Sequence, residues 1–166
     1  MKLSKIFCFA IVLLISCKSF SQENGLLDSL PTTKEGFIKS EPALLNTINW
    51  LETTPLDQEA DKRKLLNATF LAWVTNSPTV TIEVNTKITP MSKKNPDLLI
   101  IFMGGWVKYS LQNNYSKDAL KCNLAGLKSA LKVYQLGNGI KKDKDIEKLV
   151  EMDSKNELES WISSQL

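Results

Sequence analysis

The chain has 166 residues, of which 43% are hydrophobic, and this length and composition suit one domain with a sizeable core. It contains 21 basic residues, 18 acidic residues and no histidine. The lack of histidine excludes Ser-His-Asp and Cys-His catalysis as well as zinc sites with histidine ligands. Glycine-rich phosphate loops are also missing from the sequence, so we predict no cofactor and no metal site.

The first 21 residues have the pattern of a secretory signal peptide. Lys2 and Lys5 flank the start of an apolar run over residues 6–15, and Ser19-Phe20-Ser21 places small residues where signal peptidase reads the chain. The apolar run is too short for a transmembrane anchor. We therefore predict an exported protein, periplasmic or secreted, that is cleaved after Ser21 and begins at Gln22.

A second processing route remains open at the same end of the chain. The stretch Leu14-Ile15-Ser16-Cys17 also matches a bacterial lipobox. In that case Cys17 would be acylated, and its lipid chains would tether the domain to a membrane. The sequence thus leaves two alternatives, a soluble exported protein and a membrane-tethered lipoprotein.

Removing the signal changes the charge and the cysteine count. The signal holds three lysines and no acid, so the chain from Gln22 onward has 18 basic and 18 acidic residues. The basic balance belongs to the export signal, and we predict no nucleic-acid partner. Cys122 is the one cysteine left after cleavage at that point, so it has no internal disulfide partner. We expect it to serve as a small apolar residue.

Residues 22–39 are predicted to be a flexible linker, and residues 40–166 a single helical domain. The linker is polar and lacks a sustained hydrophobic period. Ser40 is the expected N-cap of the first helix. Thr54 is the expected N-cap of the second, which begins polar and becomes apolar almost all round over residues 65–74, as in a helix that runs into the core.

The segment 79–89 has the alternation of a β-strand. Val80, Ile82, Val84 and Ile88 recur at even spacing, with polar residues between them. Because no second strong strand follows, the backbone groups of this segment would be unpaired. Three alternatives remain: a small hairpin near Asn85, an extended path across the helices, or pairing with another chain.

The third helix is expected to start at Asn95-Pro96-Asp97 and to lie at the centre of the domain. Its apolar run of ten residues is too short to span a membrane, so we predict no transmembrane span after the signal. Gly104-Gly105 falls inside this helical pattern, where each glycine lowers helix stability. The pair therefore indicates the close approach of a neighbouring helix or a kink.

The fourth helix, expected to be capped by Ser116 and ended by Gly137, carries a candidate interaction face. Lys117, Lys121, Lys128 and Lys132 lie on one side of it. Such a face suits an anionic partner such as lipopolysaccharide, a phospholipid head group or an acidic protein. The alternative is a solvated face whose charge is partly offset by acids of the last two helices.

The last two helices are short, and the second is expected to open with a capping box at Ser154 and Glu157. The stretch 126–162 resembles small exported helical proteins of the Bacteroidota without an assigned activity. The likeness lies in Val133-Tyr134, in residues 139–143 (Gly-Ile-Lys-Lys-Asp) and in residues 158–161 (Leu-Glu-Ser-Trp). The resemblance implies an exported helical domain and implies no particular chemistry.

These patterns predict a mainly α fold, a compact antiparallel domain of about five to six helices with one short extended segment over 79–89. For function, they favour a non-enzymatic domain that binds a protein or an envelope partner. Two alternatives are a small carboxylate-based hydrolase of the envelope, which needs paired acids in a cleft, and a carrier with an apolar cavity beside the third helix.

Overall fold

A computed structural model describes residues 25–90 and 94–166. Within these ranges the chain forms six helices and no strand. The helices are α1 Lys34–Thr53, α2 Ala60–Asn76, α3 Asp97–Gln112, α4 Ala119–Leu136, α5 Lys144–Ser154 and α6 Leu158–Gln165. The predicted compact, mainly helical domain is confirmed. The signal peptide, Cys17 and the cleavage site between Ser21 and Gln22 lie outside the described residues.

The first helix starts earlier than the sequence predicted. Thr33 has extended backbone angles, and its Oγ1 accepts a hydrogen bond from the N–H of Gly36, so it is the N-cap. Ser40, the predicted cap, lies inside α1, and residues 34–39 are helical rather than linker. The reason is Phe37, which is buried against Trp73 with 5.3 Å between the ring centroids, so the core contacts begin before Ser40.

The start of α2 also differs from the prediction. Its N-cap is Glu59, with a left-handed φ of 48°, and not Thr54. Arg63, only 4% exposed, accounts for the difference. Its guanidinium donates to the carbonyl oxygens of Leu51 at 3.2 Å, Thr54 at 2.6 Å and Pro55 at 3.3 Å. The segment around Thr54 thus closes the C-terminus of α1 instead of opening α2.

Only one face of α2 is buried, which corrects the prediction of a helix that is surrounded by the core. Phe70 and Trp73 are fully buried, whereas Leu65 is 66% exposed. The two sets lie on opposite sides because α2 rests on α1 and contributes one stripe to the core. An apolar stretch of sequence cannot distinguish burial on all sides from burial on one.

The closest helix packing in the domain is between α3 and α4. A Cβ atom on Gly105 would lie 2.6 Å from Ser129 Oγ, and one on Gly126 would lie 2.7 Å from the carbonyl oxygen of Phe102. Only glycine allows this approach. Gly104 faces α1, where a Cβ atom would lie 3.1 Å from Ile48. The predicted close approach of a neighbouring helix at Gly104-Gly105 is confirmed.

The buried side chains form two clusters that share α3. One joins α3 to α4, α5 and α6, and the other joins α3 to α1, α2 and the segment around Val80. Trp73 and Trp106 are buried in these clusters, while Trp50 and Trp161 are half-buried at their edges. The central position of α3, predicted from its all-round apolar sequence, follows from its place in both clusters.

Two further caps differ from the sequence prediction. Asp118, not Ser116, caps α4, because its carboxylate accepts from the backbone N–H of Lys121, the third residue of the helix. Ser154 is the last residue of α5, so the capping box that was predicted for α6 does not form. The end of α4 was predicted correctly, since Gly137 adopts a φ of 76° there.

Candidate interaction surface

The segment 77–89 connects α2 to the loop before α3, and it is not a β-strand. The short extended segment predicted over 79–89 is not shown, since the described residues form helices and irregular connections without a strand. Val80 and Ile88 are nonetheless buried, so the apolar alternation reports side chains that anchor an irregular segment to the helices.

Side chains hold both ends of this segment in place. At the start, Ser77 Oγ accepts from the N–H groups of Thr79 at 3.3 Å and Val80 at 3.1 Å. At the end, Asn85 Oδ1 accepts from the N–H of Lys87 at 2.9 Å, and Asn85 Nδ2 donates to the carbonyl of Gln165 at 3.2 Å. The last contact ties the segment to the C-terminus of α6, 80 residues further along the chain.

Between these ends, the main chain has few partners. The carbonyl of Thr81 accepts from Trp106 Nε1 at 3.1 Å. In the part of the chain that the structure describes, no hydrogen bond engages the N–H or C=O of Ile82, Glu83 or Val84. Val84 is 46% exposed, and Glu83 is exposed. The result is a segment of fixed position whose central backbone groups are available to water or to another chain.

Two depressions flank residues 80–84. The first, which we call the apolar groove, has a volume of about 320 Å³ and includes Val74, Val80, Ile82, Val84 and Met103 in its lining. Thr81 also borders this groove, so it lies between the two depressions.

The second depression lies toward α4, and we call it the mixed-charge pocket. It has a volume of about 160 Å³ and is lined by Thr81, Glu83, Trp106, Lys117 and Ala119. The odd-numbered side chains of the segment and Lys117, the first of the four predicted interface lysines, therefore meet at one site. The sequence could not reveal this because α3 lies between them along the chain.

Two of the four predicted lysines are in ion pairs with neighbouring helices. Lys121 Nζ lies 2.6 Å from Glu159, and Lys128 Nζ lies 3.8 Å from Asp153. These acids come from α6 and α5, which was the predicted alternative of a partly neutralised, solvated face. Lys132 is exposed on the same helix.

Among the acids of the described residues, Asp143 has a structural role, and several others are exposed. Asp143, which is 6% exposed, caps α5 by accepting from the N–H of Asp145 at 3.0 Å. Asp57, Glu59 and Asp61 are exposed. Within residues 25–90 and 94–166, no three His, Cys, Asp or Glu side chains are grouped closely enough to hold a metal ion.

A depression of about 550 Å³ lies beside the start of α5 and is lined by charges of both signs. Lys94 Nζ lies 4.0 Å from Asp143 there, and Lys148 Nζ lies 3.5 Å from Asp145. Asn95 holds the neighbouring loop by a pair of hydrogen bonds to the backbone of Lys141, at 2.8 and 2.9 Å. Two of its four lysines are therefore paired with acids that line the same depression.

Cys122 is fully buried on α4, and its Sγ lies 3.7 Å from the carbonyl oxygen of Ser116. Burial, with a smaller effect from the charge of Asp118, raises the pKa of the Cys122 thiol to about 11. The thiol is therefore protonated at neutral pH, which agrees with its predicted role as a small apolar residue and not as a nucleophile.

Sequence reasoning missed one polar cluster, which joins α1, α3 and α4. Ser129 Oγ donates to Glu52 Oε1 at 2.9 Å, while Lys108 Nζ donates to Glu52 Oε2 at 3.3 Å and to Asn49 Oδ1 at 2.7 Å. The cluster sits over the close α3–α4 contact at Gly105. Its members are up to 80 residues apart in sequence, so no local motif could indicate it.

None of the helices in the described ranges is both long enough and apolar enough to cross a bilayer. Comparisons with models of protein families, with curated proteins and with solved structures find no match to this chain.

Proposed function

We propose that this protein is an exported, non-enzymatic binding domain, and that the segment 80–84 is the surface at which it engages an extended stretch of another chain. One observation carries the proposal: the N–H and C=O groups of residues 82–84 lack partners in the described residues, while both ends of the segment are held. A partner strand along one edge would supply the hydrogen bonds of Ile82 and Val84, whose N–H and C=O groups share an edge in an extended chain, as in recognition by β-strand addition.

The fixed ends favour such binding energetically. A flexible segment would lose conformational entropy on binding, at about 0.5–1.5 kcal/mol for each long side chain that becomes ordered, besides the cost for the backbone. Here Ser77, Asn85 and the buried Val80 and Ile88 already fix the path. The backbone hydrogen bonds with a partner would therefore add more directly to affinity.

The export part of the proposal rests on the signal pattern of residues 1–21. Its test is the intact mass of the protein purified from its native envelope. A mass that begins at Gln22 supports a periplasmic or secreted protein, and a mass that begins at acylated Cys17 supports a tethered lipoprotein. A mass that retains residues 1–16 contradicts export by either route.

The binding surface is tested by photo-crosslinking in the native envelope. A photoreactive side chain replaces Thr75, which is exposed and lines the apolar groove. We expect a crosslinked product from this position and none from a probe at Leu136, which is exposed at the end of α4 and outside both depressions.

A matched pair of variants then separates the backbone from the side chain. Val84→Pro removes an N–H that has no partner in the described residues, and Val84→Ala keeps it. We expect Val84→Pro to abolish the crosslink and Val84→Ala to retain most of it. Equal crosslinking by the two variants would contradict strand addition at this segment.

A further inference from the structure

We propose that Asn138 is a site of spontaneous covalent modification, at which the backbone nitrogen of Gly139 attacks the side chain and converts the asparagine to aspartate and isoaspartate. The site belongs to the connection between α4 and α5 and not to the surface at residues 80–84. Three observations carry the proposal: the glycine that follows Asn138, the lack of hydrogen bonds at the reacting groups, and the contacts that this connection makes.

Asn138 lies in the turn after α4, between two glycines. Gly137 and Gly139 adopt left-handed φ angles of 76° and 73°, and both Asn138 and Gly139 are exposed. In the part of the chain that the structure describes, no hydrogen bond engages the Asn138 side chain or the Gly139 N–H. The two reacting groups are therefore accessible to water, and no internal hydrogen bond has to break before they meet.

The reaction needs only the chain and water. When hydroxide removes the proton of the Gly139 amide, the nitrogen attacks Cγ of Asn138 and closes a succinimide ring, a step favoured because both groups belong to adjacent residues. The new N–C bond replaces the C–N bond of the side-chain amide, and ammonia leaves with a proton from water, which regenerates hydroxide. Water then opens the ring at one of its two carbonyl carbons. One opening gives aspartate, and the other gives isoaspartate, in which the main chain runs through the side-chain carbons.

The following glycine distinguishes this asparagine from another exposed one. Gly139 has no Cβ atom to hinder the approach of its nitrogen. Asn156 is also exposed, but it precedes Glu157, whose N–H donates to the carbonyl oxygen of Met152 at 2.9 Å. The same attack at Asn156 would meet a side chain and would have to break that hydrogen bond. Asn156 is therefore a control within the same molecule.

The modification would disturb the contact between two connections of the domain. A Cβ atom on Gly139 would lie 2.9 Å from the backbone nitrogen of Asp57, so the turn rests closely on the loop between α1 and α2. Isoaspartate lengthens the main chain by one carbon immediately before this contact. Two residues after Gly139, the N–H of Lys141 donates to Asn95 Oδ1 at 2.8 Å. We expect the longer main chain to weaken this hydrogen bond.

Peptide mapping of the folded protein after incubation at mildly alkaline pH tests the site. The peptide with residue 138 should gain the mass that replaces NH2 by OH and should separate into an aspartate and an isoaspartate form. The rate should rise with pH, because the attacking nitrogen must lose its proton. Asn138→Gln should react far more slowly, since its ring would be larger. An unchanged residue 138, or equal modification at Asn156, would overturn the proposal. The other Asn-Gly pair, residues 24–25, is followed in its own peptide.

The same incubation of the protein unfolded in urea tests the role of the fold. Because no internal hydrogen bond holds the reacting groups, we expect residue 138 to react at a similar rate in the folded and unfolded chains. A rate more than about tenfold lower in the folded protein would mean that the turn must first open, and it would contradict the proposal.

Amide hydrogen exchange then separates the longer main chain from the added charge. The isoaspartate form, isolated by chromatography, should exchange faster at Lys141 than the unmodified protein. Asn138→Asp adds the charge without the extra carbon, so its exchange at Lys141 should stay close to that of the wild type. Unchanged exchange in the isoaspartate form would contradict the expected effect on the connection.

Discussion

The α3–α4 contact and the segment 80–84 differ in how tightly they pack and in how many of their backbone groups are hydrogen-bonded. In the first, Gly105 and Gly126 bring two hydrogen-bonded helices so close that a methyl group would not fit. In the second, side chains anchor the ends while the backbone of residues 82–84 lacks partners in the described structure.

This contrast shows that a chain segment can be held in a fixed position even when its backbone hydrogen bonds are incomplete. A loop without regular structure is commonly understood as mobile. Here Ser77, Trp106 and Asn85 hold the segment by hydrogen bonds, although it has no regular structure. The experiments below separate the two regions by what each loses when a side chain or a hydrogen bond is removed.

The largest effect on stability is expected at the α3–α4 contact. Phe102→Ala removes a fully buried ring that packs against Trp106 and Gly126, and it should lower the free energy of unfolding by about 3–5 kcal/mol. Val84→Ala is the comparison in the segment 80–84 and should change the free energy of unfolding by less than about 0.5 kcal/mol. Urea denaturation measures both. Similar losses for the two variants would contradict the contrast.

The loop before α2 extends the comparison, because there a side chain, that of Arg63, hydrogen-bonds the backbone carbonyl groups. Arg63→Ala removes the donors to Leu51, Thr54 and Pro55, and we expect a loss of about 2–4 kcal/mol. Lys64→Ala, at the exposed neighbouring position, should be nearly neutral. The same urea measurement applies, and a neutral Arg63→Ala would show that water replaces the guanidinium.

A single methyl group tests how tightly α3 and α4 approach. Gly126→Ala should cost about 1–3 kcal/mol, because its Cβ atom would lie 2.7 Å from the backbone oxygen of Phe102, which cannot rotate away. Gly25→Ala is the control, since nothing lies within 4 Å of the added atom there. Thermal unfolding of both variants is the measurement. A stabilised Gly126→Ala would mean that the gain in helix propensity exceeds the clash.

The next effect concerns Asn85, which holds the end of the segment 77–89 by hydrogen bonds. Asn85→Ala removes the hydrogen bonds to Gln165 and to the N–H of Lys87, which should cost about 1 kcal/mol. We expect faster amide hydrogen exchange at residues 86–89 and unchanged exchange in α3. Asn138→Ala, at an exposed asparagine elsewhere, serves as the control. Exchange that rises equally in α3 would indicate global rather than local loosening.

The smallest effect depends on pH and lies where α1 meets the turn after α3. Burial raises the pKa of Glu41 above its ordinary value of 4.5, while the hydrogen bond from Tyr115 lowers it by less. Because the folded-state pKa is the higher one, the unfolded chain loses its proton first. The contribution to stability is therefore fully present below pH 4.5 and is lost as the pH rises through the raised pKa.

Glu41→Gln should remove this dependence, so the wild type should lose stability relative to the variant across that pH window. Urea denaturation at a series of pH values measures the difference, and titration of the carboxyl carbon by NMR gives the pKa. Tyr115→Phe should move the pKa of Glu41 further upward, since the hydrogen bond favours the charged carboxylate. Parallel stability curves for the wild type and Glu41→Gln would contradict the prediction.

Much of the helical arrangement could be predicted from local patterns. The start of α3 at Pro96-Asp97, the end of α4 at Gly137 and the packing role of Gly104-Gly105 were all predicted from the residues themselves. The starts of α1 and α2 were not, because Phe37 and Arg63 decide them through contacts with Trp73 and with the carbonyls around Thr54. Several neighbouring residues can act as the N-cap of a helix, and tertiary contacts determine which of them does.

The candidate site shows the same division. The sequence alone identified the alternation over 79–89, the lone Cys122 and Lys117 as separate features, and it indicated that no histidine-based chemistry is possible. The tertiary structure decided that Lys117 meets Glu83 and Thr81 in one pocket, and that the alternating segment has anchored ends but no neighbouring strand among residues 25–90 and 94–166. Side-chain periodicity is a property of a few consecutive residues, whereas hydrogen bonding between strands requires a second segment, which only the folded chain can supply or withhold.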